Sequence, residues 1–272
     1  MEYSAKSVIR KRRSVRTYSG ETLREEDRLK LEEYIKTLKN PFDVQIEFRF
    51  LDAKQYGLSS PVILGTDLYL GAKVPHVPNS EIAFGYDFEQ FVLYAWSLGI
   101  GTVWLAGTLN RSAFEKAMEV KDTEYMPAVT PIGYPAEKMS VRESLMRKGV
   151  KADERLPFET LFFKDSFSAP LTADDAGRFR EALEMVRLAP SAVNKQPWRA
   201  VVCGDTVHFY EKKTKALSQN ATSDLQKVDV GIALLHFALT IEEDGMKGRF
   251  LADDPKLKQE EDVGYIISYR VD

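Results

Sequence analysis

The chain has 272 residues, 44% of them hydrophobic, enough for one large domain or two domain-sized units around a substantial core, and disorder is excluded as a starting point. A formal net charge of -3 leaves no global cationic field of the kind nucleic acid or anionic membranes attract. No stretch approaches the roughly 18 apolar residues of a membrane span, and the N-terminus lacks a signal-peptide pattern; the expectation is a cytoplasmic protein without membrane or nucleic-acid partners.

Along the chain, Arg12-Arg13-Ser14-Val15-Arg16 is a short basic run. Ser19-Gly20-Glu21-Thr22-Leu23 then reads as a helix start, followed by the apolar stripe Leu31, Tyr34, Ile35 and Leu38. Val44, Ile46, Phe48 and Phe50 alternate with polar residues as a strand does, and 62–64 and 68–70 are further strand candidates. Asp87 precedes a strongly apolar helix carrying Phe88, Phe91, Val92 and Ala95, with Leu93, Tyr94 and Trp96 on other faces, as in a helix buried on more than one side. That helix runs into Gly99-Ile100-Gly101-Thr102-Val103-Trp104-Leu105-Ala106-Gly107, and residues 129–134 form another strand candidate. Next come Lys138, Arg142, Arg147, Lys148 and Lys151, interspersed with Glu137, Glu143, Asp153 and Glu154. This mixture reads as a solvated connector rather than a nucleic-acid surface.

Past the connector the pattern returns. Phe179, Ala182, Leu183 and Val186 repeat the first stripe 148 residues on, after the lead-in Ser168-Ala169-Pro170-Leu171. Val230, Ala233, Leu234 and Phe237, preceded by Asp229, repeat the second stripe at 142, and Gly245, Phe250, Leu251 and Ala252 answer Gly99, Trp104, Leu105 and Ala106 at 146. Between them lie a polar loop, a predicted hairpin of 200–203 with 207–210 about Gly204-Asp205, and, near the end, a strand over 265–269. Three correspondences in one order predict an internal duplication. The fold class expected is α+β, with long central helices packed together and mostly antiparallel sheets. Half A is placed at 1–136, the basic connector at 137–164 and half B at 165–272.

The halves differ in three polar stretches. The guanidinium groups of Arg12, Arg13 and Arg16, with the Ser14 hydroxyl, are suited to clasp a phosphate, although a short basic run also suits a solvated face; half B offers 161–165 at the matching place. Ala189-Pro190-Ser191-Ala192-Val193-Asn194-Lys195-Gln196-Pro197-Trp198 presents amides on a stiff frame, or is a helix-ending turn with Trp198 in the core; half A has a plain alternating strand near 42–50. The Gly-rich stretch ending at Gly107 caps a helix and also lets backbone approach a ligand closely. Cys203, the single cysteine, reads as a structural thiol in an apolar strand. His76, His208 and His236 lack ligand spacing, and the acids from Asp253 to Asp262 are broken by Lys256 and Lys258, so no metal is expected.

Together these stretches resemble the flavin-binding elements of the nitroreductase family, with its Arg-Arg-Ser-x-Arg opening, Ala-Pro-Ser-x-x-Asn-x-Gln-Pro-Trp loop and Gly-x-Gly-x-x-Trp segment. Nearly the whole chain is similar to family members that carry two family-like halves in one polypeptide. The resemblance implies a nitroreductase-like fold duplicated as a single-chain pseudo-dimer, with half A supplying the basic motif and half B the Pro-Ser loop to one FMN. It implies that Arg12, Arg13, Ser14, Arg16 and Arg155 hold the FMN phosphate and nearby atoms. Pro190, Ser191 and Asn194 would line the ring, with Gln196 as a further contact, while backbone around Leu105, Ala106 and Gly107 approaches the pyrimidine edge and N5. The implied activity is transfer of electrons from NADH or NADPH through FMN to a nitroaromatic, quinone or related small-molecule acceptor, by a monomer. No catalytic side chain outside the flavin shell is nominated. An FMN-binding module without nicotinamide-driven turnover, or a flavin enzyme of the same fold with another reaction, are the alternatives.

Overall fold

In the computed structural model, which describes residues 3–214 and 223–272, the elements in chain order begin with α1 (Ala5–Lys11), α2 (Glu25–Ile35), β1 (Glu47–Asp52), α3 (Ala53–Tyr56), β2 (Leu68–Pro75) and α4 (Ser80–Ser97). There follow α5 (Arg111–Ala117), β3 (Glu124–Tyr125), β4 (Val129–Ile132), α6 (Val141–Gly149), α7 (Phe158–Leu161) and β5 (Phe162–Lys164). The last are α8 (Arg180–Leu188), β6 (Trp198–Cys203), β7 (Thr206–Lys212), α9 (Leu225–Glu243), β8 (Gly248–Leu251) and β9 (Val263–Val271). They divide into unit A, Lys11–Ala152, and unit B, Met1–Arg10 with Asp153–Asp272. Helix α1 belongs mostly to unit B, where the Lys6 backbone N–H donates to Glu243 Oε2 at 2.9 Å and the Lys6 ammonium pairs with Asp244. The segment expected as a connector over 137–164 is itself structured: α6 falls in unit A, and α7 and β5 in unit B.

The duplication is visible in the topology. In unit A, β2 pairs antiparallel with β1 on one side and β4 on the other. Isolated bridges Gly101↔Gly133 and Leu105↔Val129 then set the stretch 101–105 along the far edge of β4. In unit B the order is β5-β6-β7-β9-β8, so β6, β7, β9 and β8 follow the same path as β1, β2, β4 and 101–105. The predicted hairpin is β6–β7, with Cys203 opposite Thr206 and Gly204 at φ 56° in the turn, a left-handed conformation glycine adopts without steric penalty. Among the strands of the described residues only β5 pairs in parallel, Phe162↔Ala200 through Lys164↔Val202.

The two long helices repeat down to their ends. Phe88, Phe91, Val92 and Ala95 in α4, like Val230, Ala233, Leu234 and Phe237 in α9, are fully buried, as their all-round apolar sequence requires. Each helix ends on a left-handed glycine, Gly99 (φ 77°) and Gly245 (φ 75°). The amides of Ile100 and Met246 then reach back five residues to the carbonyls of Ala95 and Ile241, at 2.9 and 3.0 Å, the hydrogen bond of a Schellman cap. In unit A, Tyr34 of α2 stacks on Tyr94 of α4 at 3.9 Å, and in unit B Phe179, preceding α8, stacks on Phe237 of α9 at 6.1 Å.

Three local expectations are corrected. Residues 62–64 form no strand; Leu64 makes one parallel bridge to Thr17, since Pro61 before it and Gly65 (φ 85°) after it break the run. Strand β1 starts at Glu47 rather than at Val44 because the Asn40 side chain takes both backbone groups of Val44, donating to its carbonyl at 2.8 Å and accepting from its amide at 3.3 Å. Such side-chain bonds compete with the ladder. Residues 161–165 are not the counterpart of Arg12–Arg16: β5 lies beside β6, whereas Ser14 bridges Thr102 at the opposite end of the strand order.

Candidate functional site

The sequence-predicted residues fall into two groups, one in each unit. In unit A the chain leaves α1 extended, and the Val15 amide donates to the Thr102 carbonyl at 2.9 Å while Ser14 bridges Thr102 in parallel. Val15 is fully buried. A Cβ on Gly101 would meet Val15 Cβ at 2.9 Å, so glycine there lets the basic motif dock on the Gly-rich stretch. Arg16 and Tyr18 are fixed by their backbones: the Leu64 amide donates to the Arg16 carbonyl at 3.0 Å, and the Tyr18 amide donates to the Leu64 carbonyl at 2.8 Å.

Two carboxylates face this motif. Glu89 of α4, with no exposed side-chain surface, accepts from Trp104 Nε1 at 2.9 Å and lies 3.6 Å from Arg12 Nε; the Arg12 side chain is 6% exposed. Glu143 of α6 lies 3.5 Å from Arg13 Nη1 and is 1% exposed. Sequence reading missed both. A signal was present for Glu143, because Ser140-x-x-Glu143 is a capping-box pattern; the Ser140 hydroxyl accepts from the Glu143 amide at 3.1 Å and is tied to Thr17 Oγ1 at 3.0 Å. Desolvation pushes the Arg16 pKa down, opposed by Glu143 and reinforced by Arg147.

The cluster is under-satisfied. Arg12 Nε and Nη1, Arg16 Nε, Glu143 Oε2 and Thr102 Oγ1 are buried without a hydrogen-bond partner. Buried polar groups in native proteins are nearly always partnered, and a stranded one costs about 1–3 kcal/mol. Buried guanidinium donors left open in this way suit an anion with several acceptor oxygens, and they fit a phosphate.

The Gly-rich stretch is less open than expected at Leu105, whose amide and carbonyl both bond Val129, at 2.9 and 3.0 Å. The Ala106 carbonyl accepts from Arg111 Nη2 at 2.7 Å, and the same guanidinium reaches the Met126 carbonyl at 2.6 Å. Arg111 is thus a brace that nothing in the sequence marked. Gly107 is exposed, with nothing within 4 Å of where a Cβ would sit, so its backbone is approachable.

In unit B, Pro190 holds Ala189 extended (ψ 144°) and α8 stops. Beyond it Val193, Asn194 and Gln196 adopt φ of 46°, 58° and 51°. Left-handed backbone at a β-branched residue is rare, and each such residue costs on the order of 1 kcal/mol. The surroundings impose the conformation: the Ser191 hydroxyl accepts from the Gln196 amide at 2.9 Å, and both Asp229 oxygens accept from the Ala192 amide at 3.0 Å. Burial pushes the Asp229 carboxyl well up. Asp87 plays the matching part in unit A, accepting from Asn40 Nδ2 at 2.8 Å, and burial raises it to about 6.

Gln196 proves to be a buried brace, its Oε1 accepting from the Leu156 amide at 2.9 Å and its Nε2 donating to the Asn194 carbonyl at 3.3 Å. Asn194 Nδ2 donates to the Glu154 carbonyl at 3.0 Å, and Arg155 Nη2 to the Leu188 carbonyl at 3.3 Å. Arg155 is therefore grouped with Pro190, Ser191 and Asn194, because residues 154–156 are sewn to the loop. Val193, which the sequence did not single out, is 55% exposed at the strained apex. Cys203 is half-buried, and desolvation pushes its thiol up.

Among the described residues no helix is long and apolar enough to cross a membrane. Among curated proteins none matches the chain. Of solved structures, a protein described as a "putative nitroreductase" from Thermotoga maritima MSB8 is 20% identical and aligns over 100% of this chain and 94% of that one, with a TM-score of 0.61. A nitroreductase family protein from Clostridium novyi NT (20% identity, 48% of this chain and 84% of that one, TM-score 0.42) and an FMN-dependent nitroreductase from Clostridium difficile R20291 (16%, 52% and 94%, 0.41) are also similar. The likeness of fold rests on the first of these. A family profile described as "Putative TM nitroreductase" matches residues 5–241, and the chain belongs to this nitroreductase family.

Proposed function

We propose that the protein is an FMN-dependent oxidoreductase that takes electrons from NADH or NADPH and passes them to a nitroaromatic, quinone or related small acceptor. Family membership supports the reaction class. The observation that carries the cofactor is the set of buried, unpartnered guanidinium nitrogens on Arg12 and Arg16. Arg12, Arg13, Arg16 and the Ser14 hydroxyl would bind the FMN phosphate. Pro190, Ser191 and Asn194 would orient the ring, with the apolar Val193 beside them, and the Ala106–Gly107 backbone would offer its amides to the pyrimidine edge. Arg155 and Gln196 would act by holding the loop. When bound, FMN supplies a ring that accepts hydride and returns electrons; oriented amides near its pyrimidine edge would stabilise the negative charge that reduction places there. One FMN per chain, a monomer and a cytoplasmic setting belong to the same proposal.

The test is a titration of the full chain, freed of flavin, with FMN. Saturation at one equivalent per chain supports the reading; no binding removes it, and two equivalents refute the single intact site.

A further inference from the structure

The two carboxylates beside the basic motif do not pair with it as ordinary ion pairs do. Charge-assisted guanidinium–carboxylate bonds are short, about 2.7–2.9 Å, and often bidentate. Glu89 stands 3.6 Å from Arg12 Nε and Glu143 stands 3.5 Å from Arg13 Nη1, although all but the Arg13 side chain are almost wholly buried. At those separations they offset charge while engaging at most one donor, in the long hydrogen bond from Arg13 Nη1 to Glu143 Oε1, and Arg12 keeps two nitrogens open. Glu89 is not explained by the duplication. The position matching Glu89 in α9, at the spacing that relates Asp87 to Asp229, is Gly231. A charge buried at such expense is retained only where something compensates it, and the motif contributes to that through Arg12 beside Glu89 and Arg13 beside Glu143.

Formal charges give the consequence. Arg12, Arg13 and Arg16, with Arg147 acting on Arg16, are opposed by Glu89 and Glu143, leaving one or two positive charges where three or four would otherwise stand. A phosphate monoester near neutral pH carries about -1.5 to -2. We propose that Glu89 and Glu143 are resident counter-charges of the phosphate site: they keep the buried guanidiniums compensated while the site is empty, and they lower its anion affinity to a level matched by a monoester dianion. This rests on the reading of the basic motif as the FMN phosphate site, and it assigns a role to residues outside that motif.

The test uses Glu89→Gln and Glu143→Gln in the full chain. Glutamine keeps an acceptor for Trp104 Nε1 at position 89, and because neither carboxylate makes a close bond to its arginine, what is removed is charge. The measurement is the dissociation constant for FMN and for riboflavin, which lacks the phosphate, read from quenching of flavin fluorescence, with inorganic phosphate as competitor. The expected result is a rise of about tenfold in the riboflavin-to-FMN ratio for either variant, the order of magnitude for one charge removed within several ångströms of a dianion, with tighter competition by inorganic phosphate. A carboxylate that only packs or braces would shift both flavins equally. A ratio unchanged within about twofold in whichever variants fold, or a fall in the ratio, overturns this inference and leaves FMN binding standing; failure of either variant to fold leaves the other to decide. Failure of both to fold with FMN present also overturns it, since bound phosphate should then supply the compensation. No FMN binding by the wild-type chain instead removes the reading on which the inference rests.

Discussion

Asp87 offers a quantitative test of how the loops after the short helices are held. Its carboxyl is 4% exposed and accepts from Asn40 Nδ2 at 2.8 Å and Gln90 Nε2 at 2.9 Å. Burial outweighs those bonds and lifts its pKa from 3.8 to about 6. A folded-state value raised above the unfolded one means that the protonated form is preferred in the native protein. Its contribution to stability is therefore complete below the unfolded pKa and is lost as pH rises through about 6. The whole loss is about 3 kcal/mol, of which about 1.4 kcal/mol falls between pH 5 and pH 8. Asp87→Asn removes the titration while keeping one acceptor and one donor. Its stability relative to wild type is expected to rise by about 1.4 kcal/mol over that interval, whatever the fixed cost of the substitution. Urea unfolding of both proteins at the two pH values measures this. A difference independent of pH, or one that moves the other way, would refute the burial argument for the carboxyl.

Three further outcomes are expected. Arg12→Ala removes a guanidinium whose side chain is 6% exposed and should weaken FMN binding by about 10- to 100-fold, the range for charge-assisted hydrogen bonds, while riboflavin binding changes much less; equal losses would contradict a phosphate role. Gly101→Ala forces a Cβ to within 2.9 Å of Val15 Cβ and should destabilise the fold by about 1–3 kcal/mol in urea unfolding, with weaker FMN binding because the basic motif is displaced. Asp229→Leu strands the Ala192 amide beneath the strained loop and should cost about 1–3 kcal/mol, whereas Asp229→Asn, which retains an acceptor, should recover most of that; equal losses would show that the carboxyl charge matters rather than the hydrogen bond.

The duplication was readable because helices buried on every side carry apolar residues on every face, and because Gly99 and Gly245 close α4 and α9 with the same cap. The candidate site was readable where identity alone implies chemistry, as with three arginines around Ser14 or a polar loop stiffened by Pro190 and Pro197. Strand order and partnership are not written in periodicity, so 161–165 was matched with the basic motif although β5 lies at the other end of the sheet path. Val44 and Ile46 alternate like a strand, but a single asparagine, Asn40, captures both backbone groups of Val44. Glu89 was hidden inside an apolar helix and Glu143 inside a charged stretch. Each reads as ordinary until the fold shows it buried beside an arginine.

The central claim is that the chain carries electrons from a nicotinamide to a bound flavin. Its most direct test is an anaerobic absorbance titration of the FMN-loaded protein with NADH and, separately, with NADPH. The account predicts bleaching of the flavin band, complete at one equivalent of one of these coenzymes per chain. Flavin that stays oxidised with both would contradict it.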